Sequence, residues 1–199
     1  MAQHRPTYDR RVREYYARRA GEYDATSWEA LGQAERRAVE DFVSELPEGR
    51  ILDIGCGTGY ITRFLRGAIV GVDASAEMLE LARARVPEAT FVQAEVPPLP
   101  FAKDAFDLAF SSNLYSHIVS AEQRARFVAE ALRVAPALVV LEQAWSPGLE
   151  PEAYEPRRLL DGSEYQVFKR YFTAEELARE LGGSVVMDSH AFVAVRAVR

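Results

Sequence analysis

The sequence has a single cysteine, Cys56, among its 199 residues. It therefore cannot form an internal disulfide, and it lacks the pattern of a secreted disulfide scaffold. It has only three histidines, and nothing in the chain is spaced like a metal site. No apolar run reaches the length of a membrane-spanning helix, so no membrane span is expected. Residues 1–20 are rich in arginine and tyrosine and lack a signal-peptide core. We therefore expect a cytoplasmic protein.

An excess of basic residues is also lacking. Lysine and arginine together number 24 against 30 acidic residues, which gives a net charge of −6 at pH 7. This balance disfavours a large surface for nucleic acid or for anionic membranes. The chain also has no internal repeat and no low-complexity linker, and its length predicts one domain with a substantial core.

The most informative segment is residues 51–59, which read Ile-Leu-Asp-Ile-Gly-Cys-Gly-Thr-Gly. The apolar residues before Gly55 predict a strand buried on both faces, and the glycines predict a tight turn at its end. Helical spacing follows from Tyr60, and a second strand over 68–72 leads to Asp73. Such a turn leaves free N–H groups at the carboxyl end of the strand, and the carboxylate of Asp73 can accept hydrogen bonds from both hydroxyls of a ribose. The segment therefore predicts a pocket for an adenosine-containing cofactor.

The glycine spacing separates two classes of cofactor. Dinucleotide folds use G-x-G-x-x-G, in which the third glycine allows close helix–strand packing near a pyrophosphate. Here residues 55–59 have G-x-G-x-G, which favours a smaller adenosyl ligand. On these residues alone, an NAD-dependent oxidoreductase and a tight turn without a ligand are the alternatives.

Strand-like and helix-like segments alternate from residue 50 onward. The alternation predicts an α/β protein with a mainly parallel, doubly wound sheet and helices on both faces. Strands are predicted near 50–55, 68–73, 89–93, 106–111, 137–142, 184–188 and 191–198. Helices are predicted near 59–66, 76–86, 121–133 and 174–181, with capping boxes at Ser120 and Thr173. Two helices are predicted before residue 47: an amphipathic one with tyrosines on one face, and one capped by Thr26 and Glu29 and stopped by Pro47.

These segments resemble those of class I S-adenosylmethionine-dependent methyltransferases, in particular the type 11 family, whose best-known members methylate quinone precursors and other small molecules. The resemblance covers residues 50–143 well and the flanks loosely. One departure is Ala94-Glu95-Val96, where the family typically has Gly-Asp-Ala. The carrying segments are ILDIGCGTG (51–59), VGVDAS (70–75) and FVQAEVPPLPFAKDAFDLAFSSNLYSHI (91–118).

The resemblance implies a Rossmann-like sheet of seven strands, the last of them antiparallel, in a single domain. The implied reaction moves a methyl group from S-adenosyl-L-methionine to an oxygen, nitrogen or carbon of a small-molecule acceptor and leaves S-adenosyl-L-homocysteine. No nucleic-acid partner is expected. A catalytically silent protein that binds either compound as a regulatory partner is the alternative. The implied segments are N-terminal helices and a candidate lid at 1–47, a cofactor-binding core at 48–144, a substrate-side insert at 145–172, poorly ordered or folded as a lid, and a C-terminal helix and strands at 173–199.

The resemblance also implies roles for individual residues around the cofactor. The glycine backbone would face the methionine end, Asp73 would hold the ribose, and the next residues along the chain would contact the adenine. Two tyrosines of the first helix would close over the site, with a helix packed on the sheet edge as the alternative. Ser111, Ser112 and Asn113, at the end of the fourth strand, would lie below the methyl group, and for Ser111 and Asn113 polar groups satisfied within the turn are the alternative. Cys56, inside the glycine turn, is interpreted as a small buried thiol. The expected cofactor-binding residues are Tyr16, Tyr23, Gly55, Cys56, Gly57, Gly59, Asp73, Ala74, Met78, Glu95, Val96, Ser111 and Asn113.

The expected catalytic residues are His117, as a general base with an ordinary pKa near neutrality, and Tyr115 beside it. A structural loop histidine is the alternative for His117. Within the insert, aromatic rings stand among three arginines and one lysine, which would suit a planar or anionic acceptor. A solvated surface with aromatic anchors is the alternative. Glu142 and Trp145 are candidates to line the cavity that would hold this acceptor.

Overall fold

The computed structural model describes residues 10–199. Three helices come first: α1 (Arg10–Arg19), α2 (Tyr23–Thr26) and α3 (Gln33–Ser44). The alternating part follows, with β1 (Gly49–Ile54), β2 (Gly67–Asp73), α4 (Ala76–Arg85), β3 (Thr90–Gln93), β4 (Leu108–Ser112), α5 (Ala121–Val134) and β5 (Ala137–Gln143). The last part contains β6 (Glu152–Arg158), β7 (Glu164–Arg170), α6 (Ala174–Leu181), β8 (Ser184–Asp188) and β9 (Phe192–Val198).

Seven strands form one sheet in the order β3-β2-β1-β4-β5-β9-β8. The first five strands along the chain pair in parallel, whereas β9 pairs antiparallel with both β5 and β8. This confirms the predicted α/β, Rossmann-like sheet and all seven predicted strands. The strand order reverses between β1 and β4, and ligands of open α/β sheets bind in the crevice at such a point.

Helices cover both faces of the sheet, as predicted. On one face, Phe127 of α5 and Leu177 of α6 pack against the central strands. On the other, Val39 and Val43 of α3 pack with Trp28. The central strands are apolar at successive positions because they are buried on both sides. Within residues 10–199, no helix is both long and apolar enough to cross a membrane.

The predicted helix at 59–66 is wrong, because only one 3₁₀ turn forms there, at Thr62–Phe64. Residues 55–66 must carry the chain from the end of β1 to the start of β2, which lie side by side in register. The glycine turn uses the first part of this short connection. The hydroxyl of Thr62 then donates a hydrogen bond to the Asp53 carboxylate at 2.6 Å, which fixes the turn against β1.

The predicted capping box at Thr26 is also wrong. Thr26 is the last residue of α2, and its hydroxyl donates to the carbonyl of Glu22 at 2.7 Å. The next helix begins only at Gln33. The caps at Ser120 and Thr173 are confirmed, because each hydroxyl accepts from the backbone N–H three residues later, and Thr173 forms the full capping box with Glu176.

The segment after β5 is a β-hairpin rather than a poorly ordered loop. β6 and β7 pair antiparallel along their whole length, from Glu152↔Arg170 to Arg158↔Glu164. Pro156 stands within β6 because a two-stranded ribbon has two open edges, where the N–H that proline lacks is not needed for pairing. The hairpin packs on α1 through Tyr15, Leu159 and Val167. The division of the chain into a lid, a core and an insert stays a prediction, and residues 1–9 of the first segment lie outside the described part.

Candidate active site

A cleft opens at the carboxyl ends of β1, β2 and β4, at the point where the strand order reverses. It brings together nine of the thirteen expected cofactor-binding residues and the expected base, His117. Those nine are Tyr16, Tyr23, Gly55, Gly57, Asp73, Ala74, Met78, Val96 and Asn113. Val12, Arg13, Val72, Ser75, Ala94, Ser112 and Leu114 complete the wall.

The glycine turn forms the floor of this cleft. Gly55 and Gly57 have φ values of +75° and +54°, which side chains other than glycine rarely adopt. A Cβ atom on Gly57 would meet nothing within 4 Å, so the backbone there faces open space. A Cβ on Gly59 would lie 3.2 Å from Ala82 of α4. Gly59 thus permits close helix packing and does not line the cleft.

Cys56 lies behind the turn, 9% exposed, against Leu79 and Phe91. Burial raises the pKa of its thiol well above the usual value. The thiol is therefore protonated and packed as a small apolar group, in agreement with its interpretation from the sequence. It lines a smaller pocket together with Asp53 and Trp28, and this pocket shares Gly55 and Gly57 with the cleft.

Asp73 connects the end of β2 to the glycine turn. Its Oδ2 accepts from the N–H of Gly57 and its Oδ1 from the N–H of Ser75, both at 2.9 Å. Burial raises the pKa of this carboxyl, and the backbone hydrogen bonds act in the opposite direction. Each carboxylate oxygen can accept a further hydrogen bond. Asp73 can therefore hold the turn in place and still bind a diol.

Three residues of the cleft wall have a buried side-chain atom without a hydrogen-bond partner in the described chain: Nε of Arg13, Oγ of Ser112 and Oδ1 of Asn113. Unsatisfied buried polar atoms are costly and call for a ligand or a water. Asn113 has φ +54°, and its N–H is bonded to the carbonyl of Leu141 at 3.0 Å, so its side chain is held at the cleft.

Ser111 differs from the expectation. It is fully buried, and its hydroxyl donates to the carbonyl of Ile54 at 3.0 Å, which joins β4 to β1. Side chains alternate between the faces of a strand, so Ser112 reaches the cleft instead. Of the two serines at this strand end, the expected one, Ser111, lies inside the sheet, and Ser112 lines the cleft.

Glu95 also lies outside the cleft wall. It forms an ion pair with Arg13 of α1, and their side chains are 47% and 40% exposed. The neighbouring residue, Val96, does line the cleft and is buried. An exposed pair of this kind contributes little to stability, but it joins α1 to the rim of the cleft. The expected contact of Glu95 with an adenine stays a prediction.

His117 is held by two hydrogen bonds. Its Nδ1 lies 2.6 Å from the carbonyl oxygen of Phe168, and its Nε2 lies 2.9 Å from the hydroxyl of Tyr16. A carbonyl can only accept, so Nδ1 carries the proton and Nε2 accepts from Tyr16. Burial lowers the pKa of His117 to about 3, and Lys169 and Arg157 act in the same direction. The expected pKa near neutrality is therefore wrong.

Tyr115 does not take part in the site. Its ring is fully buried among Phe127 and Phe172, and its hydroxyl donates to Glu180 of α6 at 2.9 Å. The expected catalytic role is wrong, because the 3₁₀ turn at Tyr115–His117 sends the two side chains in different directions. Tyr115 is a core residue with a satisfied hydroxyl.

A second cavity of about 310 Å³ adjoins the cleft and shares Tyr16, Tyr23, Asn113 and His117 with it. Burial raises the pKa of Tyr23 to about 12, so its hydroxyl stays protonated. Three cationic residues line this cavity, Arg19, Arg157 and Lys169. The rest of the wall is Tyr15, Thr26, Ser27, Trp28, Ala30, Leu31, Gln143, Tyr171 and Phe192.

Two residues expected in this cavity lie elsewhere. Glu142 is fully buried behind the wall, where it accepts from the N–H of Ser116 at 3.1 Å and lies 3.8 Å from Lys169. Trp145 lines a separate surface pocket. Arg19 and Gln143 line the cavity but were not among the residues expected there. Gln143 has a signal that could have identified it, since it ends β5 at the same edge of the sheet as the other site residues.

The N-terminal segment is tied to the glycine turn by a polar cluster. The hydroxyl of Thr58 donates to Asp24 at 2.6 Å, and Arg85 of α4 contacts both Asp24 and the carbonyl of Thr58. These side chains are mostly buried, so the contacts are screened less by solvent than surface pairs. They fix α2, and with it Tyr23, over the cleft.

Comparisons with known proteins agree with this geometry. A family model described as a methyltransferase domain matches residues 51–136. The chain is 33% identical over 94 residues to a malonyl-[acyl-carrier protein] O-methyltransferase of Enterobacter lignolyticus, covering 44% of this chain and 38% of the relative. It is 35% identical over 94 residues to a demethylmenaquinone methyltransferase of Renibacterium salmoninarum, covering 44% and 40%.

A solved structure, the complex of DhpI with SAH, superposes with a TM-score of 0.72 at 26% identity and covers 92% of each chain. The matches to the two curated relatives span less than half of each relative's length. The family-model match, at residues 51–136, contains the glycine turn, Asp73 and the end of β4.

Proposed function

We propose, from the premise that this chain belongs to the class I S-adenosylmethionine-dependent methyltransferases, that it transfers a methyl group from S-adenosylmethionine to a small-molecule acceptor. One observation carries the proposal. The cleft at the glycine turn and the second cavity share four wall residues, Tyr16, Tyr23, Asn113 and His117. A donor in the first space and an acceptor in the second would therefore meet.

The residues of the cleft fit the donor. The open space above Gly57 admits a ligand close to the backbone, and Asp73 has hydrogen-bonding capacity left for a ribose. The unpaired atoms of Ser112 and Asn113 offer polar contacts at the end of β4. Ala74 and Met78 supply apolar surface on which a flat base could pack. When bound, S-adenosylmethionine supplies a methyl group already activated on a sulfonium.

The chain's own contribution is positioning and exclusion of water. Tyr16 and Tyr23 lie over the junction of the two spaces, held there by His117 and by the Asp24–Thr58 contact. Closure by these rings would keep solvent from the reacting atoms. The relatives are named for different acceptors, so their names do not identify the acceptor of this chain.

The alternative, a silent binder of the same compound, is less well supported. A protein that only binds the donor has no need of a second cavity that opens onto the first. The observation that favours a silent binder is the state of His117, whose two ring nitrogens both form hydrogen bonds. Transfer to an acceptor that is already deprotonated needs no such base, so this observation does not exclude an enzyme.

The test is transfer of labelled methyl. Purified protein is incubated with S-adenosylmethionine labelled at the methyl group and with a panel of small carboxylates, phenols and amines. We expect label in a small-molecule product with the wild type and none with Asp73→Ala, the matched negative control. Label that stays on the donor, although S-adenosylhomocysteine binds tightly, would instead favour the silent binder.

A further inference from the structure

The charged residues that line the second cavity are all positively charged. Its charged lining residues within the described chain are Arg19, Arg157 and Lys169, and no aspartate or glutamate lines it. This is unexpected by composition, because acidic residues outnumber basic ones in the chain. The nitrogen of Lys169 is almost wholly buried and donates to the hydroxyl of Ser116 at 3.0 Å. Burying a cation is costly, so its place in the wall calls for an electrostatic partner.

Two carboxylates compensate part of this charge from behind. Glu142 lies 3.8 Å from Lys169, and Glu155 forms an ion pair with Arg157. Glu155 also accepts from the hydroxyl of Tyr171. Neither carboxylate lines the cavity. They hold the two cations in place, and their own charges are directed away from the space.

Arg19 has no such partner. Its guanidinium donates hydrogen bonds to neutral groups, the hydroxyls of Thr26 and Ser27 and the carbonyl of Thr26. Its guanidinium lies over the rings of Tyr15 and Tyr23, at 5.5 and 4.9 Å. No carboxylate within residues 10–199 lies within ion-pair distance of it. Three cations against two carboxylates leave the region one positive charge in excess.

We infer that the acceptor is a small oxyanion, a carboxylate or a phosphonate, which this cavity binds through Arg19, Arg157 and Lys169 and which receives the methyl group on its charged oxygen. The inference rests on the proposed function. Guanidinium groups match the geometry of such anions, and the aromatic wall would pack against an attached apolar part. Gln143 and Asn113 add neutral hydrogen-bonding groups.

An oxyanion also fits the state of His117, the expected base, whose two ring nitrogens both form hydrogen bonds. The acceptor oxygen uses a lone pair that it already has, the new O–C bond forms as the S–C bond of the donor breaks, and no proton has to leave. The negative charge of the acceptor and the positive charge of the sulfonium are lost together. The two hydrogen bonds of His117 can therefore stay intact, and the residue acts as a support for Tyr16.

The test measures binding rather than turnover. Protein saturated with S-adenosylhomocysteine is titrated by calorimetry with benzoate, phenylphosphonate and the neutral benzamide. The variants are Arg157→Gln and the matched control Arg158→Gln, on the outward face of the same strand. We expect at least one oxyanion to bind at least tenfold more tightly than benzamide, and Arg157→Gln alone to weaken it at least fivefold. Binding of benzoate would identify a carboxylate as the charged group of the acceptor, and binding of phenylphosphonate would identify a phosphonate.

The inference is overturned if benzamide binds as tightly as both anions, if the two variants behave alike, or if neither anion binds. Failure of the protein to bind S-adenosylhomocysteine at all would count against the proposed function instead. If Arg157→Gln does not fold, as judged by circular dichroism, Arg19→Gln replaces it. Arg19 has no ion pair to lose within the described chain, and the same fivefold weakening is expected.

Discussion

At the scale of single residues, the site depends on a few positions whose chemistry cannot be exchanged. Gly57 opens the floor of the cleft, and its N–H is held by Asp73 across the gap between two strands. Ser112 and Asn113 bring buried polar atoms without partners. His117 is neutral and fixed by two hydrogen bonds. Each of these positions makes a separate, measurable contribution.

The neutral state of His117 predicts a pH effect on stability. The unfolded chain takes up a proton below pH 6.5, whereas the folded imidazole stays neutral down to about 3. The unfolded state thus binds more protons between these values, so this contribution to stability is complete above pH 6.5 and falls on acidification, by at most about 1.4 kcal/mol per pH unit. The stability advantage of the wild type over His117→Asn should shrink from pH 6.5 to pH 4 in urea unfolding. An advantage independent of pH would contradict the assigned pKa.

Removing the hydroxyl of Tyr115 should lower the stability of the core and leave ligand binding at the site unchanged. Tyr115→Phe removes the hydrogen bond to Glu180 and should cost about 1 kcal/mol of unfolding free energy. Affinity for S-adenosylhomocysteine should not change, since the hydroxyl faces away from the cleft. Tyr16→Phe, which alters the wall of the cleft, is the comparison. A loss of affinity for S-adenosylhomocysteine in Tyr115→Phe would mean that Tyr115 does contribute to the site.

Sequence patterns predicted cleft residues correctly where the course of the backbone decides their position. The glycine turn and Asp73 could be predicted because their position follows from strand ends and from the spacing of glycines. Ser111, Glu95 and Tyr115 could not be placed, because the direction of a side chain after a strand depends on local turns and on distant partners such as Arg13 and Glu180. Arg19 lines the second cavity, and α1, which carries it, packs on the hairpin, a tertiary contact that local sequence does not reveal.

At the scale of elements, α1 and the β6–β7 hairpin form one cover over the site. Tyr15 of α1 packs with Leu159 and Val167, Arg18 pairs with Asp161, and the N–H of Leu160 donates to Glu22 at 2.9 Å. The apolar contact is buried and the polar ones are exposed. Packing therefore carries most of the binding energy between these two elements.

Two neighbouring leucines test this cover. Leu159 is 5% exposed and Leu160 is 83% exposed. Leu159→Ala should lower the free energy of unfolding by about 2–4 kcal/mol because it leaves a cavity, whereas Leu160→Ala should change it by less than about 0.5 kcal/mol. Chemical unfolding of both variants measures the difference. Equal, small effects would mean that the hairpin does not pack on α1 as described.

The elements that sequence patterns predicted are those set by local burial. The strands and the helices α4, α5 and α6 follow from apolar runs, spacing and caps. The expected helix at 59–66 failed because the parallel register of β1 and β2 leaves too little chain for it. The hairpin was missed because the pairing of β6 with β7 is a tertiary property, and Pro156 gives the opposite local signal.

At the scale of the whole molecule, the sheet brings two spaces to one edge. The ends of β1, β2 and β4 form the cleft, the end of β5 and the hairpin supply the second cavity, and α1 and α2 cover the junction. No carboxylate within residues 10–199 lines the second cavity, although Glu142 and Glu155 pair with two of its cations from behind. Under the proposed function, backbone and polar atoms would recognise the donor, and charge would recognise the acceptor.

The most direct measurement is a calorimetric titration of the protein with S-adenosylhomocysteine, with NAD as the control ligand. We expect the first compound to bind and NAD not to bind. Asp73→Ala should weaken binding at least tenfold, or about 1.4 kcal/mol, whereas Asp107→Ala, at the opposite end of the sheet, should not. Binding of NAD in preference, or an unchanged affinity in Asp73→Ala, would contradict the account.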